Sequence, residues 1–510
     1  MLFWTRRRFM SEVGRGALSA GLVGAAPLRF GGAPRRLLVP GVRPSAELAE
    51  VVRWIREVPA ERIVAEAIDK LRGGLPPQQL WAATFLAGIE DVEPRPVGFR
   101  FHCVMVMPAL RQVASELPPD ERVLPLFFGL WNFKRVQGDD PRSGDWTLPP
   151  VQESALPPKE KARAQLIDAC ETWDAESADA AVTTMARTGS RDEIVETLLP
   201  FGMRNWANIG HHPIFTSSAF KVLDVIGWRH AEPVLRSLVH GLLVNGWGDD
   251  VKHFALSCAA AEKLVSDGLP RSLDPVGAEL RPIGRADVSI SPESAIAASV
   301  KSILARPDAD AEERLWSDLE AVGLELLMEK PGLLPVHATT GIRALRELAL
   351  RAADPRVRLA AAFQAAAWCP LWRSVFGGGG EAEDSTFASL ARNRDHDRSE
   401  TRDSPESLVS KLGTGGDREL APRIARSIDS RDARARFLDG ARRLLVAKGG
   451  ESHHYKFLAA LETVASPAGT RLVPDESLLA LRLAAGAWYM HGPTDADFGP
   501  VAEARAALAR

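Results

Sequence analysis

Tyrosine and lysine are the scarce residues of this 510-residue chain: 2 Tyr stand against 13 Trp and 19 Phe, and 12 Lys against 51 Arg. The arginine excess does not make the chain basic, because 66 acidic residues offset 63 basic ones and leave a formal charge of −3. No basic stripe runs along any helical segment, so no nucleic-acid partner is expected; such a partner needs its phosphates neutralised. Apolar runs long enough to span a bilayer, about 20 residues, are missing as well, and no integral membrane segment is expected. The four cysteines, Cys103, Cys170, Cys258 and Cys369, are far apart in sequence. They form no C-x-x-C redox pair and no haem-attachment motif, which leaves buried free thiols as the expected state. H-E-x-x-H, a glycine-rich dinucleotide loop and the G-x-S-x-G elbow are all absent. Zincin proteases, Rossmann enzymes and α/β-hydrolases are excluded with them.

Short alternating apolar runs, the mark of strands, are also nearly absent. From Ser45 onward the apolar residues recur at helical spacing instead, as in Leu48, Val51, Val52 and Ile55, or Ile63, Val64, Ala67, Ile68 and Leu71. Hydrophobic residues make up 45% and charged residues 25%, the proportions of a globular chain that buries a core. The expected fold class is all-α, built of irregular stacked helical hairpins, since no fixed repeat period survives inspection. The expected division is a main helical domain over 40–376, a flexible linker over 377–405 and a smaller helical domain over 406–510. The linker is placed by Gly377-Gly378-Gly379-Gly380 and the polar stretch that follows.

The first 25 residues read as a targeting segment. Thr5-Arg6-Arg7-Arg8-Phe9-Met10 resembles a twin-arginine export motif, a weakly apolar stretch follows from Gly16, and Val23-Gly24-Ala25 offers small residues for cleavage. Export in the folded state by the twin-arginine machinery, to a periplasmic or other extracytoplasmic location, is the expectation. Signals of this type often accompany cofactors inserted before export, though many such cargoes carry none. The residues name no cofactor, and iron or another transition metal is compatible with them.

The eleven histidines cluster. Gly210-His211-His212-Pro213 places two imidazoles at a helix start, because proline suits the first helical turn. Trp228-Arg229-His230 opens the next helix in the same way. Candidate acid–base residues are His102, His211, His212 and His230. Lys134, beside Trp131 and Phe133, and Tyr455, in His453-His454-Tyr455-Lys456, join them because a chain so poor in Lys and Tyr places these two beside aromatic or histidine neighbours. Candidate metal ligands are His211, His212, His253, Glu451 and His454; Glu451-x-x-His454 has the spacing of a di-iron helix pair.

Phe101-His102-Cys103-Val104-Met105 and Gly210-His211-His212-Pro213-Ile214-Phe215 resemble patterns of the questin oxidase-like family, over about residues 95–245. That resemblance implies an all-helical fold and oxygen-dependent oxidation of polycyclic aromatic ketones. Two readings follow. One is an exported oxidoreductase, oxygenase- or oxidase-like, acting on an apolar or aromatic small molecule through a histidine-rich site. The other is a non-catalytic helical-repeat binding or scaffold protein of the cell envelope, with structural histidines.

Overall fold

The computed structural model describes residues 46–139, 145–243, 251–266, 282–376, 386–396, 402–413, 419–466 and 475–509. The targeting segment and Gly377–Gly380 lie outside the described residues. Within them the chain is all-helical, without strands. No helix of the described residues is long and apolar enough to cross a membrane.

Four helices form an inner ring. They are α1 (Met107–Ser115), which the short helix His102–Met105 leads into, α2 (Ala207–Ile226), α3 (Val336–Ala349) and α4 (Ser452–Val464). Each packs on the next, and α4 closes the ring on α1. Hydrogen bonds between neighbours fix their register. Lys221 Nζ and Ser217 Oγ of α2 reach the carboxylate of Glu347 on α3, the lysine at 2.6 Å. Gln112 Nε2 of α1 donates to the Ala459 carbonyl of α4 at 2.8 Å, and Ser218 Oγ of α2 to the Met105 carbonyl at 3.3 Å. Lys221 and Glu347 lie late in their helices, while Nε2 contacts join His102, His211, His337 and His453 at the beginnings of all four, so the four inner helices run in the same direction.

The helices between them return on the outside, as alternating hairpins must. Leu124–Asp139 covers α1, Arg191–Met203 and Ala231–Leu242 cover α2, Ala311–Glu329 and Pro355–Val375 cover α3, and Arg431–Lys448 and Glu476–Gly486 cover α4. Their starts are set by local chemistry: Ser190 caps by accepting from Glu193 N at 3.2 Å, Asp354 from Arg356 N at 2.8 Å and Ser430 from Ala433 N at 3.2 Å. Inner and outer layers are pinned by buried charge. Glu320 on Ala311–Glu329 receives Arg346 of α3 at 2.6 Å and Arg343 at 3.2 Å. Glu320 and Arg346 are both almost fully buried, a geometry in which removing one partner would leave a costly naked charge.

One apolar core runs from Leu48 to Ala504. The segment expected to form a separate C-terminal body therefore contributes α4 to the ring itself. Inside the stretch expected to be a flexible linker, Phe387–His396 is a helix. Ser389 and Leu390 are buried, and Phe387 N donates to Glu325 at 2.9 Å. Its few apolar residues order it by docking on Leu420–Ser427, a tertiary contact that local composition does not reveal.

Candidate metal centre

All four inner segments carry a histidine in their first turn: His102 opens the short helix before α1, His211 follows a break in α2, and His337 and His453 are the second residues of α3 and α4. Parallel helices bring these four turns to one level, and the imidazoles converge on the ring axis. Their Nε2 atoms form a closed quadrilateral. The sides are 2.8 Å from His102 to His453, and 3.1 Å from His102 to His211, from His211 to His337 and from His337 to His453. All four rings are buried, 2–9% exposed.

The second nitrogen of each ring decides what these contacts are. His102 Nδ1 faces the Phe99 carbonyl at 2.7 Å, His211 Nδ1 the Asn208 carbonyl, and His337 Nδ1 the Leu333 and Leu334 carbonyls at 3.0 Å each. His453 Nδ1 faces the carboxylate of Glu451. A carbonyl or carboxylate only accepts, so each Nδ1 carries the proton and each Nε2 presents a lone pair. The four Nε2 approaches are therefore not hydrogen bonds: four lone pairs point at one another. Protonation does not relieve this. Burial holds the imidazoles of His102 and His211 well below the ordinary range, and the charge of Lys456 and the neighbouring histidines push the same way. Burial, with Lys456 again adding to it, brings His337 down to about 3 and lowers His453 further.

A cation at the centre satisfies all four lone pairs at once. Sides of this length place a central ion about 2.1 Å from each nitrogen if the four are coplanar, the length of a metal–imidazole bond. Neutral imidazoles oriented by hydrogen bonds from Nδ1 to carbonyls or a carboxylate are the usual second layer of a metal site. A set of four imidazoles, without thiolate or carboxylate, suits copper, iron, nickel or zinc. Together these four are the group of the described residues able to hold a metal ion.

The ligand turns are built with unusual backbone. Asn208, Ile209 and Gly210 are left-handed, with φ of 53°, 56° and 88°, so α2 breaks and restarts at His211. For β-branched Ile209 this conformation is strained. It is held by Trp372, whose Nε1 donates to the Ile209 carbonyl at 3.0 Å. Trp368 and Trp372 press on Gly210, where a Cβ would lie 3.4 Å from each. Gly98, with φ of 114°, lets the opposite loop pass so close that a Cβ there would lie 3.2 Å from His211 Nδ1.

The ring brings together His102 and His211, which the sequence singles out as candidates, with His337 and His453, which are not among its candidate site residues. Glu451 is not placed as a ligand; it orients His453 from behind. His212 is fully buried but turned off the axis, and neither of its ring nitrogens has a hydrogen-bond partner. His454 faces outward too, with Nδ1 3.0 Å from His491 Nε2, while His491 Nδ1 lies 2.8 Å from Asp495. His253 is buried on Lys252–Ser266, an outer helix, and its carbonyl accepts from Ser257. His230 opens the return helix beside Arg229, whose Nε is 3.3 Å away. Lys134 ties two helices: Nζ donates to the Ile55 and Arg56 carbonyls at 3.1 Å each and to Gln137. Tyr455 stacks on Phe128, with ring centroids 4.8 Å apart, and its hydroxyl is buried without a partner. None of these seven candidates, Glu451 included, lies in the ring. The four cysteines are free and buried.

Comparison with protein-family models, with curated proteins and with solved structures gives no match for this chain.

Proposed function

We propose that this chain is a metal-dependent oxidoreductase that holds one transition-metal ion between His102, His211, His337 and His453, and that it works outside the cytoplasm after twin-arginine export. The observation that carries the reading is the closed quadrilateral of unprotonated Nε2 atoms at 2.8–3.1 Å. Four neutral ligands leave the ion's full charge in place, so a bound ion acts as a strong Lewis acid and, for iron or copper, as an electron acceptor. A cavity lies directly above the ring, lined by the residue three positions after each histidine: Met105, Ile214, Thr340 and Lys456. A cavity one turn from the ligands offers room for a substrate, which catalytic sites keep and closed structural ones do not. The apolar part of that wall, with Pro108, Ala109, Ala459 and Ala460, supports the expectation of an apolar substrate portion. A volume of about 60 Å³ restricts what enters to a small molecule.

The second reading, a scaffold with the ion as a staple, is favoured by one fact. The ligands come from four helices up to 351 positions apart, which a bound ion would clamp. The two separate experimentally. Protein purified without chelator should contain about one equivalent of iron, copper, nickel or zinc, and His337→Ala should lose it. Replacement by redox-inert zinc should then preserve the melting temperature while abolishing reversible one-electron reduction. A wild-type chain that binds no transition metal overturns the metal-dependent oxidoreductase and the ion-stapled scaffold and leaves a scaffold with structural histidines; a native ion with no reversible reduction leaves only the stapled scaffold.

A further inference from the structure

The cavity above the histidine ring has one polar group unspent. Lys456 is 6% exposed, its Nζ has no hydrogen-bond partner, and it lines the cavity one helical turn above His453. Met105, Ile214 and Thr340, three positions after the other ring histidines, line the same cavity, so Lys456 stands one helical turn from the quadrilateral. The other polar walls are already committed. Thr340 Oγ1 donates to the Val336 carbonyl at 3.1 Å, Ser218 Oγ to the Met105 carbonyl at 3.3 Å and Ser217 Oγ to Glu347. At the opposite end of the cavity Lys221 and Arg343 flank Glu347 at 2.6 and 3.3 Å. Burial brings Lys456 down to about 7 against the pull of the Glu451 carboxylate, so its charge is partial; Lys221 and Arg343 against Glu347 still leave the lining net positive before any metal ion is counted.

A buried ammonium has three donors and no acceptor, and leaving them unmade is costly. Water would satisfy them only in part, since it does not compensate the charge. We propose that this cavity is a binding site for a small inorganic anion, which coordinates the ring's metal ion through one atom and accepts a hydrogen bond from Lys456 Nζ through another. The size agrees. About 60 Å³ of internal space is room for roughly four to six waters, at about 10–15 Å³ each, and admits a small anion.

This inference rests on the metal reading above, and azide, a linear triatomic anion, tests it separately. Wild-type protein loaded with Cu(II) is first verified by metal analysis and its spin-resonance spectrum, then titrated with azide while the azide-to-copper charge-transfer band is followed. Saturable binding is expected. Lys456→Met should keep one copper per chain and weaken azide binding tenfold or more, the loss of a charge-assisted hydrogen bond. Lys456→Arg should recover part of it. Ala344→Leu, which fills the same cavity without touching Lys456, should abolish azide binding and keep the copper. Copper-replete wild type that binds no azide, or Lys456→Met and Ala344→Leu variants that bind it as wild type does, would overturn the anion site while leaving the metal centre intact. A wild-type chain that takes up no copper would instead bring down the metal reading.

Discussion

Three of the four ring histidines are oriented by backbone carbonyls, but His453 is oriented by a side chain, so the metal-centre reading can be tested without touching a ligand. Glu451→Ala removes the acceptor of His453 Nδ1–H. The imidazole then loses its fixed orientation and its tautomer preference, and for part of the time its proton moves to Nε2, where it blocks coordination. Removing an outer partner of a metal-bound histidine typically costs 10–100-fold in affinity, about 1.4–2.7 kcal/mol. Glu451→Gln keeps a carbonyl oxygen at the same place and should cost less than tenfold, since orientation survives and only the charge is lost. Competition against a chromophoric chelator gives the affinities. The spin-resonance spectrum of the Cu(II) form adds a readout that simple loss of stability would not move: hyperfine couplings should change in Glu451→Ala and stay near wild type in Glu451→Gln. Equal affinity in wild type and Glu451→Ala, or equal damage from both substitutions, would refute the argument that this carboxylate positions a ligand.

Two further outcomes follow from the same geometry. Burial pushes the Glu347 carboxyl up, but Lys221 and Arg343 and the hydrogen bonds from Lys221 and Ser217 more than reverse this and hold it down to about 2. A folded-state value below the unfolded one, about 4.3, means stability that is fully present above that value and lost as pH falls through about 2. Glu347→Gln should therefore cost about 3 kcal/mol at pH 7, with the gap to wild type shrinking by roughly half by pH 3; urea titrations giving the same gap at both pH values would disprove it. His212→Ala should leave one metal ion per chain, because this imidazole lies off the axis, yet destabilise the fold by about 2–3 kcal/mol through the space it vacates; metal loss on that substitution would mean that the wrong member of the His211–His212 pair has been assigned to the ring.

How much of this was legible in the chain itself can be read from particular residues. The all-α class followed from spacing, because helical periodicity such as Leu48, Val51, Val52 and Ile55 is a local property, repeated with almost no competing alternation. His211 stood out for its position at a helix start, and His102 for the Phe101–Met105 pattern that carries the family resemblance. His337 carries the same signal, with Pro335 just before α3, but Val336 and Ala338 on either side give it the look of a core position. The doublets His211-His212 and His453-His454 show the limit most clearly. Consecutive helical residues point about 100° apart, so one member of each pair can face the axis and the other cannot, and spacing alone does not say which. The packing of α4 against α1 and α3 turned His453 inward and sent His454 toward His491, and the break at Asn208–Gly210 did the same for His211 over His212. Sequence determined that there would be amphipathic helices with histidines in their first turns. Tertiary structure alone decided that four of those helices run parallel in a closed ring, since only that arrangement puts four turns, hundreds of residues apart, at one height around one axis.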